Sequence, residues 1–259
     1  MRLILIIFIQ FNFFRIAALD LNLAAMAGQN GGSGSYLIYP SPGSAWKNPA
    51  CIYPGAEISG SYLYSISSLP VITSTLSYAY KKIGIAACFF QLGHPLYKET
   101  ILSLACSYDF NFMKTGLAFR QLSFAPEGYR TESYISLDGG LVWKQGRLTT
   151  GLSVKNIVHL KKEEISLPFW VELESCFTLS EQSRIVIGLE KQAEYDFSFR
   201  FTSFQKIYRL LGLLAGYQFE PNRLSCGISI ELKFLKCLFS TRFHPYLDMT
   251  HFISIIYEF

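Results

Sequence analysis

Along much of this chain apolar and polar residues alternate with a period of two, which is the signature of strands with one greasy and one wet face. From Leu224 to Leu232 one face carries Leu224, Cys226, Ile228, Ile230 and Leu232, while Ser225, Gly227, Ser229 and Glu231 occupy the other. The segment His251 to Phe259 sets Ile253, Ile255, Tyr257 and Phe259 against Ser254 and Glu258. Tyr195 to Phe201 sets four aromatics against Asp196, Ser198 and Arg200. Applied throughout, the pattern predicts about fourteen strands, near 56–64, 71–80, 83–91, 99–108, 114–124, 132–144, 148–158, 168–179, 183–191, 195–204, 207–219, 223–232, 235–244 and 250–259. Connections after even-numbered strands are short (Lys81-Lys82, Gln145-Gly146-Arg147, Ser180-Glu181-Gln182). Several after odd-numbered strands are expected to be longer, such as Gln91 to Leu96 and His159 to Ser166. An even count with short turns at one end and longer loops at the other is what a transmembrane antiparallel β-barrel requires.

Composition moves the expectation into a membrane. Of 259 residues half are apolar, 16% are aromatic and only 16% are charged, where a soluble domain averages about a quarter charged. Past the first thirty residues there is no apolar run of about eighteen, so helices do not supply the crossing, and a closed barrel is the remaining solution. A soluble sandwich also has many short alternating strands. It is disfavoured by aromatic apolar faces, by charges on the opposite faces and by the N-terminus, where Arg2 precedes the apolar run Leu3 to Phe14 and the small residues Ala17 and Ala18. That order is a secretory signal peptide, although a short membrane anchor fits too and Arg15 obscures the cleavage site. The expected organisation is a signal peptide over 1–18, a luminal hatch segment over 19–55 and an all-β barrel of the bacterial outer membrane over 56–259.

Candidate chemistry changes this little. The net charge of +4 is spread along the chain, without the basic cluster and interleaved aromatics of a nucleic-acid surface. Cys51, Cys88, Cys106, Cys176, Cys226 and Cys237 form no CxxC pair or zinc spacing. They fit small apolar strand positions, with one disulfide left open. By parity the lumen receives Arg120, Asp138, Lys155, Glu172, Glu174, Glu190, Asp196, Arg200, Glu231 and Glu258, and is narrowed by Trp170 and Tyr134. Both signs are present, which implies ion pairs and water. Glu172 and Glu174 imitate paired catalytic carboxylates, but a polar lumen needs acids anyway. Nucleophile-elbow, zinc-protease, Walker and dinucleotide motifs are all missing, so no catalytic residue, metal or cofactor is expected. His159 belongs to a charged loop, and His244 and His251 flank the last loop.

Ser44-Ala45-Trp46-Lys47-Asn48-Pro49-Ala50 resembles the NPA motif that opens the barrel of the FadL superfamily and its PorV/PorQ branch. Pro49 fixes the chain direction and Asn48 can cap the bend. Ser136 to Leu141, Gly146-Arg147-Leu148 and Gly151 to Asn156 resemble a PorV/PorQ hairpin. Ala215-Gly216-Tyr217 with Pro221 to Ser225 resembles a second, and His244-Pro245 through Phe259 is similar to the family's final loop and strand. The resemblance implies fourteen strands, a lodged N-terminal segment, and a scaffold or accessory role in protein export with secretion-system proteins or exported cargo as partners beside the lipid bilayer. The superfamily's other implication is a channel for a hydrophobic small molecule. For this the glycines Gly139-Gly140 and Pro168 can supply strand kinks, though ordinary barrel corners use the same residues. A purely structural barrel or nonspecific pore is the third alternative. Cys51-Ile52 follows the motif where the family commonly has Gly-Leu, and the short chain leaves little for long outer loops. Asn48, Pro49, His244 and His251 stand as structural positions that the resemblance singles out.

Overall fold

The computed structural model describes residues 27–160, 167–193 and 195–259. The expected signal peptide lies outside the described residues, as does most of the expected loop from His159 to Ser166. The strands are β1 (Gly55–Tyr62), β2 (Pro70–Tyr80), β3 (Ile83–His94), β4 (Tyr97–Asp109), β5 (Met113–Pro126), β6 (Glu132–Gln145) and β7 (Leu148–Leu160). They continue as β8 (Trp170–Ser180), β9 (Ser183–Gln192), β10 (Ser198–Tyr208), β11 (Leu211–Phe219), β12 (Arg223–Glu231), β13 (Leu235–Arg242) and β14 (Thr250–Tyr257). Each pairs antiparallel with its sequence neighbours, and β1 pairs with β14 from Ala56↔Tyr257 to Tyr62↔His251. The sheet is therefore a closed barrel without an edge, and the ladders satisfy the backbone of the wall internally, as a bilayer demands.

The period-two pattern becomes an inside and an outside. Leu104 is 65% exposed, whereas its neighbours Ser103 and Ala105 are 3% and 6% exposed. The exposed face is apolar around the whole wall, from Ile58 and Leu76 through Leu117 and Phe199 to Ile253. Aromatics including Tyr78, Tyr80, Tyr108, Phe112 and Trp143 crowd the end with the short turns. A closed barrel with a lipid-facing band and an aromatic girdle is an outer-membrane protein. The short turns (81–82, 110–112, 146–147, 181–182, 209–210 and 232–234) mark its periplasmic end. At the other end Gln91, Thr100, Ser123 and Ser133 form one outward-facing cross-strand row. This row limits the apolar band on that side, and β3 to β6 continue beyond it.

That extension corrects one expectation. Gln91 to Leu96 is not a long loop, because β3 runs to His94 and pairs through His94↔Tyr97, leaving only residues 95–96 as the turn. Strand pairing persists past the lipid, where apolar alternation no longer signals it. The strand expected from Tyr195 starts instead at Ser198, and Tyr195, Asp196 and Phe197 lie exposed in an outer loop, so Asp196 does not face the lumen. Interfacial aromatics there imitate the strand period. For the same reason the next turn falls at residues 209–210 rather than at Gln205-Lys206.

Depth sets the cost of a charge on the outer face. Ile228, mid-strand between Leu213 and Phe239, should lose about 2–4 kcal/mol of stability as Ile228→Arg. Leu232→Arg at the periplasmic rim should cost roughly 0–1 kcal/mol. Denaturant titration of the barrel refolded in phospholipid vesicles checks both; equal costs would displace the assigned band.

Candidate functional site

Before reaching the wall the chain threads its own bore. Helix α1 (Ala27–Gly31) leads through a turn into an extended stretch, a 3-10 turn over Pro42–Trp46, and then β1. From Gln29 to Ile52 every residue is buried except Pro40, which is half-buried. A backbone without a sheet of its own needs partners for its amides and carbonyls, and inward side chains of the wall provide them. One carboxylate oxygen of Glu174 accepts from Ser35 Oγ at 3.0 Å and from the amides of Tyr36 and Leu37, each at 3.1 Å. Glu57 accepts the Gly43 amide at 2.9 Å. Thr202 Oγ1 donates to the Gly32 carbonyl at 2.9 Å, Ser153 Oγ to that of Lys47 at 2.5 Å and Arg120 to that of Trp46 at 2.6 Å. Arg242 donates to Asn30 Oδ1.

The charges assigned inward by parity meet around this plug. Arg200 pairs with Glu172, lies 3.3 Å from both Glu174 and Glu190, and is 3% exposed. Lys47 of the plug approaches Glu172 at 4.0 Å and stands over the Trp170 ring, as Lys155 does from β7. Arg120 pairs with Asp138 at 2.9 Å. Glu231 and Glu258 lie lower, at the periplasmic rim, paired with Lys206 and Lys236. Buried ions are tolerable only when such pairing offsets their desolvation, and Glu172 and Glu174 are thereby engaged by Arg200 and the plug.

Asn48 and Pro49 sit where the plug touches the wall most closely. Asn48 Nδ2 donates to the carbonyls of Leu152 at 3.0 Å and Leu141 at 3.4 Å, and its Oδ1 accepts the Ala50 amide at 2.9 Å. The floor beneath is glycine. Gly116 and Gly140 are cross-strand partners, and a Cβ on Gly140 would collide with Asn48 Oδ1, one on Gly116 with the Pro49 backbone. On β7 a Cβ at Gly151 would come within 2.7 Å of Tyr36 Oη. His244 and His251 are elsewhere. His244 Nδ1 accepts the amides of Tyr246 and Leu247 at 3.2 and 3.1 Å, with its ring edge-on to Tyr64. Burial and the nearby Arg223 hold its pKa below the ordinary imidazole value. His251 shares a 2.9 Å hydrogen bond with Thr241 and stacks on Phe239.

Above the plug, toward the outer mouth, the inward positions of β2 to β6 are mostly apolar, with Glu99 buried beside Leu92. Val71, Phe90, Leu92, Ile101, Leu122 and Tyr134 form one cluster with Leu63 of the first outer loop, Trp46 and Trp170. Sequence parity places these side chains inward, and the available signal is an apolar inward face where other strands carry Ser and Thr. Beside this tier the wall is irregular. Between Leu137↔Val158 and Gly139↔Val154 the residues Lys155, Asn156 and Ile157 oppose Asp138 alone, with Asn156 at φ 57°. This is a β-bulge, held by the Asn156 amide on Asp138 Oδ1 at 2.9 Å and by Asn156 Nδ2 on the Pro168 carbonyl at 2.8 Å. Pairing of β7 with β8 stops at Lys155↔Trp170, so among the described residues the outer end of β7 has β6 alone as its strand partner. Gly139 and Pro168 thus flank the irregularity. A separate groove of about 560 Å³, lined chiefly by outward residues such as Leu76, Ala87, Phe89 and Leu104, lies on the lipid side of β1 to β5 rather than in the bore.

No family model and no curated protein matches the chain. Among solved structures it is similar to the CymD monoaromatic hydrocarbon channel, with a TM-score of 0.72 at 10% identity over 91% of this chain and 97% of that one. It is also similar to a Pseudomonas aeruginosa FadL homologue, with a TM-score of 0.62 at 9% identity over 91% and 98%. At these identities the likeness is one of fold, a closed fourteen-stranded antiparallel β-barrel.

Two substitutions test the site's construction. Arg200→Met strands three buried carboxylates and should cost about 3–5 kcal/mol, read from denaturant titration in vesicles. Gly140→Val should unseat Asn48-Pro49-Ala50 while leaving the wall closed, so a protease added to the folded barrel should cut between residues 27 and 54 far faster than in the parent.

Proposed function

We propose that this chain is an outer-membrane channel for small hydrophobic molecules. The observation that carries the proposal is the apolar tier at the outer end of the bore. A water-filled pore has no use for Phe90, Leu92, Ile101 and Leu122 on its inner face, whereas a hydrophobic solute gains roughly 25 cal/mol for each Å² of apolar surface it buries there. Below the tier lie the charged layer around Arg200 and the plug, which oppose straight passage of an apolar solute. Beside it lies the β7 bulge, where a solute can pass sideways toward the lipid band. The fold likeness to a monoaromatic hydrocarbon channel supports the same reading.

The PorV/PorQ motifs favour a second reading, a scaffold for exported proteins. Its support is in the motifs alone, and recovery of secretion components or cargo domains with the tagged barrel from outer membranes is its test.

The channel reading places Trp46 and Trp170 in the ligand's path. Titration with a monoaromatic hydrocarbon should quench tryptophan emission saturably, and Ile101→Asp should weaken that binding at least tenfold, about 1.4 kcal/mol. Linear, non-saturable quenching would sink the proposal.

A further inference from the structure

The charges that look evenly spread along the chain are not evenly spread on the barrel. At the periplasmic end the turns and strand ends carry Lys81, Lys82, Lys114, Lys144, Arg147, Arg184, Lys206, Arg209, Lys233 and Lys236 against Asp109, Glu181, Glu231 and Glu258. At the outer end the described exposed or half-buried residues are nearly balanced, with Lys98, Arg130, Lys191 and Arg223 against Glu127, Glu132, Asp196, Glu220 and Asp248.

The periplasmic cations divide into two groups. Four aimed at the bore are already engaged: Lys114 with Asp109 at 3.4 Å, Lys206 with Glu231 at 2.6 Å, Lys236 with Glu258 at 2.5 Å, and Arg184 with the Ile38 carbonyl at 3.4 Å. The remainder, Lys81, Lys82, Lys144, Arg147, Arg209 and Lys233, are exposed and lie beyond ion-pair distance of any described acid. The five in the turns are distributed around the circumference, on the β2–β3, β6–β7, β10–β11 and β12–β13 connections, while Lys144 lies within β6 on the face of inward Val142. Lys81 and Lys233 stand over the rings of Tyr80 and Phe234. Such rings sit at the headgroup level of a bilayer, so the cations project into the layer of phosphates.

We infer that this ring binds anionic phospholipid headgroups of the periplasmic leaflet, selecting them from zwitterionic neighbours around the barrel. The placement favours lipid over a protein partner, because the uncompensated cations of the turns encircle the wall at girdle height instead of gathering into one patch, while Lys114, Lys206 and Lys236, which face the bore, are paired with acids. Cationic side chains at a membrane surface attract anionic lipid within a Debye length.

The test uses the purified full barrel in detergent with equal phosphatidylglycerol and phosphatidylethanolamine, the retained lipids being counted by native mass spectrometry. The expected result is a preference for phosphatidylglycerol on the order of tenfold at low salt, decaying toward parity near 0.5 M salt, where the screening length is only about 4 Å. The variant K81Q/K82Q/R147Q/R209Q should lose most of that preference, and the corresponding glutamate set should invert it; heat-modifiable gel mobility verifies folding of each. Equal retention of the two lipids by the parent at low salt, or a preference that survives both variants, overturns the inference and leaves the ring as a docking face for an acidic periplasmic protein.

Discussion

In hydrocarbon there is no water to accept an orphaned amide, so the pairing of β1 with β14 is the constraint from which the rest follows. Once Ala56↔Tyr257 through Tyr62↔His251 complete the ladder, the strand has only two directions in which to send side chains, and the two differ as lipid differs from lumen. Ser225, Ser229, Ser240 and Ser254 are buried because they face inward, while Ile228, Ile253 and Ile255 are exposed because they face acyl chains. The usual meaning of burial is inverted along these strands: the polar residues are buried and the apolar ones exposed.

A closed wall leaves a bore to fill, and this chain fills it with its own N-terminal segment. A segment without a strand of its own inside a barrel is stable only if its peptide groups find partners, and here single wall side chains do the work of a strand. Glu174 serves two successive amides and a hydroxyl, but a carboxylate in that place requires Arg200, and Arg200 in turn requires Glu172 and Glu190. The lumen is therefore one interdependent electrostatic unit rather than a set of separable pairs. The glycines Gly116, Gly140 and Gly151 contribute the complementary condition, which is absence of volume.

Strand number, parity and most turns were legible in the sequence because period two survives wherever one face meets lipid. It failed where that contrast ends: past the band at Gln91, and at Tyr195 and Phe197, where interfacial aromatics imitate a strand. The inward charges, Asp196 apart, were legible for the same reason that the strands were. Their partners were not, since Arg200 and Glu174 are paired across β8 to β10 and through a plug whose path no periodicity encodes. The glycine floor was invisible for a further reason: a small residue reads as a permissive position until the atom that needs the space is known. Charge was misleading in a different way. The connections Lys81-Lys82, Arg147, Arg209 and Lys233 are far apart in sequence, and only antiparallel topology, returning every second connection to one end, collects them.

Asp138 links the bulge to the plug, and on the channel reading this bears on how a plugged barrel would conduct. Asp138 holds Arg120 with one oxygen and the Asn156 amide with the other. Arg120 also donates to the Trp46 carbonyl of the plug, and Asn156 reaches the Pro168 carbonyl at the edge of β8. A chain of polar bonds thus runs from the plug, through one buried carboxylate, to the seam between β7 and β8. On the channel reading, a solute entering beside Trp46 would meet the plug and the seam as mechanically joined parts. Displacing Trp46 would act on Arg120 and Asp138, and through Asn156 on the stretch where, among the described residues, β7 has β6 alone as its strand partner. Rearranging that seam exchanges a few hydrogen bonds while the plug keeps its remaining ties to Glu174, Thr202 and Ser153. Sideways release into lipid is then compatible with a plug that never leaves the bore.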